Sequence, residues 1–450
     1  MIRISRFGVR VITFVVVLAV LLAGYHLGFI QALDWEPLSH KASSTTDADH
    51  TSTSIELPCQ QLRGGDDVVV VMRTGATEIL DKLPVHFKTT FRCFPDKIIF
   101  SDYAETFNGH QVYDVLAEVN DTTKQTNYDF LHYYHLQSLG REGLNRSELS
   151  GTHSYESGPV GKNDNDGWRL DKWKFLPMIV QTLKLRPDKK WYVFVEPDSY
   201  LVWSNLLKWL EELDPAAAVY YGSEVQIGKD IFAHGGSVFV MSNSAMQKGM
   251  ESYLSESEEW HARTSHHWAG DCILGTALAK AGVPLTWSWP MFQGGNPVEM
   301  DWTQKKGRRR LWCTPAMSYH HLDPVEIQGM WDFEQRRLAG VDRGVLHHQE
   351  VFKSHILPNL ATERSNWTNI SPDLLSYTNR HGLNTTDCRA LCDQQPDCVQ
   401  YALGPIGCSL SSSLKLGHTT PGVESGWMFD RIEEWSQKLS NCEGRDGWIK

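Results

Sequence analysis

Positive charge is in short supply in this chain of 450 residues: 43 Lys and Arg face 54 Asp and Glu, leaving a formal net charge of −11. A general nucleic-acid binder needs a basic face for its phosphate contacts, so that class is set aside. No internal repeat is present, which removes solenoids and propellers. The composition also lacks the low hydrophobicity and high charge of a disordered chain. Hydrophobic residues make up 41% and charged residues 22%, a globular balance. At ~100–200 residues per domain, the length admits one large core plus a smaller unit.

What is present begins with an apolar run, Val11–Ile30, interrupted by few polar residues. About 20 residues at 1.5 Å each cover a hydrocarbon core. Arg3, Arg6 and Arg10 precede it, and Gln31, Asp34 and Glu36 follow, so the positive-inside rule predicts residues 1–10 as a cytoplasmic tail and residues 11–30 as a type II signal anchor. A cleaved signal peptide is the alternative, because Val11–Gly24 has the length of an h-region and Ala23-Gly24 supplies small residues. Either way the rest of the chain faces an oxidising compartment. Five N-x-S/T sequons, at Asn120, Asn145, Asn366, Asn369 and Asn384, all lie downstream, and Cys388, Cys392, Cys398, Cys408 and Cys442 cluster near the C-terminus. Disulfides there would substitute for a missing core; a zinc site is the alternative, although paired C-x-x-C knuckles are lacking.

Residues 31–65, Ser/Thr-rich over 39–54, read as a stem. From Asp67 the pattern changes to continuous apolar runs typical of strands buried on both faces: VVVVM, then KIIFSD at Lys97–Asp102, WYVFV at Trp191–Val195 and GGSVFVMS at Gly235–Ser242. Helical stretches lie between them, DKWKFLPMIVQTLK and NLLKWLEEL among them, so residues 66–345 are predicted as one α/β domain whose ligands bind beyond the carboxyl ends of the strands. Residues 346–384 read as a linker and 385–442 as a cysteine-rich module.

Three places can carry chemistry. Glu196 and Asp198 leave the third strand together and, one residue apart, can project to one side and share a hard divalent cation; an acidic turn has the same composition. Asp271, in Gly270-Asp271-Cys272, can serve as a general base or as a helix cap. His320 can complete a cation site begun by carboxylates, since manganese accepts mixed oxygen and nitrogen ligands, or can be one structural histidine among 19. The aromatic side chains Trp287, Trp289, Phe292 and Trp302 can line an acceptor groove or pack a core.

In order along residues 66–335, these pieces resemble glycosyltransferase family 31, in its core 1 β-1,3-galactosyltransferase and Fringe-like branch. The likeness is carried by Val68–Gly75, His86–Phe91, Lys97–Asp102, Trp191–Leu201 with Asn205-Leu206, His234–Ser242, Gly270–Gly275 and Ser318–Leu322. It implies a GT-A type, Rossmann-like mixed sheet with helices on both faces. It also implies an inverting, Mn²⁺-dependent transfer of a hexose, galactose in β-1,3 linkage foremost, from a UDP-sugar to a glycan or glycoprotein acceptor. By the same resemblance Asp198, Glu196 and His320 hold the metal, Thr74, Gly75 and Asp102 line the nucleotide, and Asp271 is the catalytic base. The type II anchor then corresponds to a Golgi membrane enzyme with a lumenal catalytic domain. The sequence departs from the family at Glu196-Pro197-Asp198, where an acid triplet is usual, and at Gly270, where an acid is usual. These departures leave a second reading, an inactive membrane-tethered relative. The C-terminal cysteine region resembles a PAN/Apple module, which implies a protein or carbohydrate ligand. Five cysteines cannot all pair within it, so one bonds elsewhere or stays free.

Overall fold

The computed structural model describes residues 56–150, 165–340, 343–371, 374–379, 382–439, 442 and 447–450. The anchor Val11–Ile30 and most of the stem lie outside these residues; among the described residues no helix is long and apolar enough to cross a membrane. Residues 56–450 form one compact unit.

The runs of β-branched and aromatic residues form the strands of a mixed eight-stranded sheet. These are β1 (Val68–Arg73), β2 (Lys97–Ser101), β3 (Glu105–Phe107), β4 (His110–Asp114), β5 (Trp191–Val195), β6 (Tyr220–Gly222), β7 (Phe239–Ser242) and β8 (Leu285–Trp287). Their spatial order is β8-β6-β7-β5-β1-β2-β4-β3. β1 runs parallel to both β2 and β5, with Val70 opposite Val193 and Met72 opposite Ile99. β7 enters antiparallel to β5, Phe239 facing Phe194. Alternation divides the core: Val68, Val70 and Met72 join one apolar cluster, and Val69 and Val71 join the other, on the opposite face. Each fully buried valine contributes roughly 1.5–3 kcal/mol. Helices cover both faces. Leu206, Leu207 and Leu210 of the helix Trp203–Leu210 pack into the first cluster, and Ile273, Leu274 and Leu278 of the helix Gly270–Lys280 into the second.

Three boundaries differ from the sequence reading. The last residues assigned to the stem belong to the fold: Pro58–Gln61 is helical and Cys59 is disulfide-bonded to Cys93. The strand predicted over Gly235–Ser242 is shorter, because Gly235–Ser237 forms a helical turn and Val238 has φ +68° before β7 starts. Residues 346–384 are not a plain linker. They supply β9 (Glu363–Thr368) and β10 (Leu374–Thr378), which join β11 (Gln400–Gly404), β12 (Gly407–Ser411) and β13 (His418–Trp427) in a five-stranded antiparallel sheet of order β9-β13-β11-β12-β10. β9 is polar, and β10 is a short stretch broken by Ser376 with Leu374, Leu375 and Tyr377 exposed, so neither shows the apolar run that marks a buried strand.

The helix Thr385–Asp393 packs on this second sheet, and Cys388–Cys408 and Cys392–Cys398 staple it. The cysteine left over, Cys442, bonds Cys313 across 129 residues. Among the described residues Cys272 alone is free, and burial pushes its thiol up to about 11, which fits a structural rather than a nucleophilic role. Four sequon asparagines are exposed, whereas Asn369 is only 1% exposed and donates its amide to Gly426 O. A glycan at Asn369 is incompatible with this fold.

Candidate functional site

Past Val195 the chain leaves the sheet through Glu196-Pro197-Asp198, closed by a hydrogen bond from Ser199 N to Glu196 O (3.0 Å). Tyr200–Leu201 then pairs antiparallel with Ser318–Tyr319, Tyr200 opposite Tyr319. That pairing brings together residues more than a hundred positions apart. His320 Nε2 lies 3.3 Å from Asp198 Oδ1 and 3.5 Å from Glu196 Oε2. Leu322 N fixes the register by donating to Asp198 O at 2.9 Å. Asp198 and His320 are both buried, 4% and 5% exposed.

The cluster able to grip a cation is Asp198, His320 and His321, whose donor atoms lie within 4.8 Å of one another. His321 is an addition to the expected set, and Glu196, the third expected member, stands 3.5 Å from His320. Neighbouring residues of an extended strand point to opposite faces. His321 escapes this through a left-handed φ of +60°, which brings its ring centroid to 3.8 Å from that of His320. Glu196 forms an ion pair with Arg73, which also pairs with Asp171. The donor set fits a transition-type divalent ion, one carboxylate with two imidazoles. His320 Nδ1 and His321 Nδ1 are buried with no hydrogen-bond partner among the described residues. Gly236 makes room for the ring of His320, because a Cβ there would stand 2.2 Å from its Cε1 and Nε2.

Three cations that the sequence reading passed over hold the acids in place. Lys82 Nζ is 3.2 Å from Asp198 Oδ2 and 3.0 Å from Glu78 Oε2; Lys174 Nζ is 3.0 Å from Asp102 Oδ2; Arg73 takes Glu196. Burial alone would raise the Asp198 carboxyl, but Lys82 and then His320 outweigh it and hold it well below the usual range. For Glu196, burial is likewise overcome, chiefly by Arg73, and the carboxyl sits at about 2. Burial opposes charge on His320, yet Asp198 and Glu196 lift it to about 9. His86 supports the turn by donating Nε2–H to Pro197 O and accepting from Thr90 Oγ1, both at 2.8 Å. Burial lowers its pKa to about 4, so it is neutral at pH 7.

Thr74, Gly75 and Asp102 meet at the carboxyl ends of β1 and β2. Asp102 is fully buried and accepts from Ala76 N at 2.8 Å, and Lys174 bonds Thr74 O at 2.7 Å. Asp271 is not the cap of its helix: Ala269 holds that position, and Asp271 Oδ2 reaches out to accept from Gly235 N at 2.9 Å. Burial raises its carboxyl above the ordinary value. Through Gly235 it stands one residue from His234, whose ring is 5.4 Å from that of His320. The structure thus gathers Glu196, Asp198, His320 and Asp271 around one loop, Gly235–Ser237, and the Thr74–Asp102 group joins them through Arg73.

Residues 177–320 match the family model described as Fringe-like. The matched segment starts in the helix Phe175–Leu185, includes Glu196, Asp198 and Asp271, and ends on His320. It supports the glycosyltransferase resemblance over the site's centre; Thr74, Gly75, Asp102 and His321 lie outside it.

Proposed function

We propose that this chain is a Fringe-like glycosyltransferase of the family 31 kind, moving a hexose from a UDP-sugar to a hydroxyl of a glycan or glycoprotein with inversion. The approach of His320 to Asp198 at 3.3 Å, inside a Fringe-like segment, is the observation that carries the reading. Asp198, His320 and His321 would hold a divalent ion such as Mn²⁺. When bound, that ion neutralises charge on the departing nucleoside diphosphate.

The chain's own side chains do the rest. Thr74, Gly75 and Asp102, at the ends of two parallel strands, receive the nucleotide, where open α/β sheets take their ligands. Asp271 Oδ accepts the proton of the acceptor hydroxyl as that oxygen bonds to the anomeric carbon; the bond from that carbon to the diphosphate breaks, and UDP leaves with the electron pair. The raised carboxyl of Asp271 suits a base. A galactosyl donor with β-1,3 linkage and a Golgi type II location, lumenal beyond Val11–Ile30, complete the reading. Its support is the motif order and the arginines before the apolar run. The C-terminal unit is proposed to bind protein or carbohydrate.

Calorimetry of UDP with and without Mn²⁺, followed by transfer from a panel of UDP-sugars, tests this. Metal-dependent UDP binding that disappears in Asp198→Ala supports the proposal. UDP binding indifferent to both metal and substitution overturns it and leaves the inactive binding relative in its place.

A further inference from the structure

Outside the Asp198–Asp271 group, a cleft of about 500 Å³ opens along the edge of the main sheet, lined by Glu224, Trp287, Trp289, Asp301, Gln304 and the Lys305-Lys306 pair among others. Trp287 closes β8, and Trp289 stands two residues on, in the turn that Met291 N closes on Ser288 O at 2.9 Å. The rings are nearly parallel, at 16°, with centroids 6.1 Å apart. These two half-buried indoles supply apolar surface of the kind that takes the C–H face of a sugar ring, with polar groups around it to bond the hydroxyls.

The rim of this cleft is unlike the rest of the molecule. Lys305–Lys306 and Arg309–Arg310 form a two-stranded hairpin around Gly307, which has φ +62°, and Arg308 lies in its turn. This is five cations in six residues, in a chain whose net charge is −11. Among the described residues none of the five makes an ion pair with a carboxylate, whereas Arg73, Lys82, Lys174 and Arg186 all do. The Lys306 ammonium sits 4.2 Å from the Trp287 ring centroid, and the Arg309 guanidinium is spent on Trp287 O and Trp289 O at 3.2 and 2.9 Å. Arg309 therefore props the two indoles, while Lys305, Lys306 and Arg308 stay exposed. Clustered cations without partners are costly through mutual repulsion, and an anion that seats between them relieves it.

The cleft is also near the proposed chemistry. Glu224, on its wall, pairs across a hairpin with Ala233, two residues and about 7 Å along the chain from Gly235, whose N–H is held by Asp271. We propose that this cleft and its basic hairpin bind an acidic saccharide, with the sugar on Trp287 and Trp289, hydroxyls on Glu224 and Asp301, and a carboxylate or phosphate substituent on Lys305, Lys306 and Arg308. The description of that saccharide as acceptor rests on the transferase reading; the anion-binding surface does not.

The test measures binding rather than turnover, on the whole chain. A galacturonic acid tetramer is titrated while tryptophan fluorescence is followed, against its methyl-esterified neutral form and against a mannose oligosaccharide bearing a 6-phosphate. The acidic tetramer, the phosphorylated sugar or both are expected to bind at least tenfold more tightly than the neutral ester. Binding should weaken tenfold or more in Lys305→Glu/Lys306→Glu, which alters exposed side chains only, and weaken again between 50 and 300 mM salt, as screening requires. Equal binding of the ester, unchanged binding in the double variant, or binding to phosphatidylserine vesicles in place of any saccharide overturns it. Mn²⁺-dependent UDP binding is followed in the same variant. Its loss in the unmodified chain defeats the transferase reading alone, and its persistence in the double variant separates the two sites.

Discussion

Asp198 and His320 meet only because Tyr200 pairs with Tyr319, and at this scale each acidic group is defined by the cation beside it. Asp198→Ala removes an oxygen donor and leaves Lys82 buried without that partner, so UDP binding should lose its dependence on Mn²⁺ and transfer should fall by about 100-fold or more, measured by calorimetry and product release. Asp271→Asn keeps the shape but cannot accept a proton; kcat should fall roughly 10²–10⁴-fold while UDP affinity holds. A third prediction concerns His348, which donates Nε2–H to Pro290 O and accepts from Tyr319 OH, and which burial lowers to about 3. Between that value and the ordinary 6.5, the unfolded chain takes up a proton that the folded chain refuses. Stability is therefore present in full above 6.5 and is lost as pH falls toward 3. A lower melting temperature at pH 5 than at pH 7, with a smaller difference in His348→Gln, is the expected scan. Asp198, Asp271 and His320 were legible as candidates, because each is a carboxylate or imidazole standing at the edge of an apolar segment. His321 was not legible, because sequence does not reveal a left-handed φ that turns two adjacent rings to one side.

At the scale of elements, the loop Gly235–Ser237 and the strand ends around it decide the geometry. β5 delivers Glu196 and Asp198, the helix Gly270–Lys280 delivers Asp271, and Gly236 stands between them and His320 with no room for a side chain. Gly236→Ala should push the His320 ring away and abolish metal-dependent UDP binding while far-UV circular dichroism stays unchanged, since the loss is local. A variant that binds as before would show that the ring has slack. Gly275 plays the equivalent part for packing, letting Phe232 approach the helix, where a Cβ would meet Phe232 Cβ at 2.3 Å. The buried strands were legible because a strand covered on both faces needs an unbroken apolar run, as β1 and β5 have. β9 and β10 escaped because short, largely exposed strands, one polar and one broken by Ser376, look like a linker.

On the scale of the whole molecule, the C-terminal unit is a structural part of the larger fold. Lys415 and His418 both meet Glu299 at 2.6 Å, Gly417 N donates to Val298 O at 2.7 Å, and Leu414, Leu416 and Trp427 share a core with Trp302 and Trp312. Cys442→Ser opens a disulfide spanning 129 residues. The chain-entropy model values such a closure at about 4–5 kcal/mol, so calorimetry should show a melting temperature lower by several degrees. An unchanged melting point would mean that packing alone holds the C-terminus. Composition, apolar runs and the spacing of acids within single segments by themselves determined an α/β sheet, a disulfide-stapled C-terminal region, and the candidates Glu196, Asp198, Asp271 and His320, because those signals are local. Which of them stand within reach of one another, that Lys82, Arg73 and Lys174 restrain them, and that Cys442 reaches Cys313 were decided only in three dimensions. These contacts join residues from about 70 to about 130 positions apart, and no periodicity in a single segment encodes a partner on another.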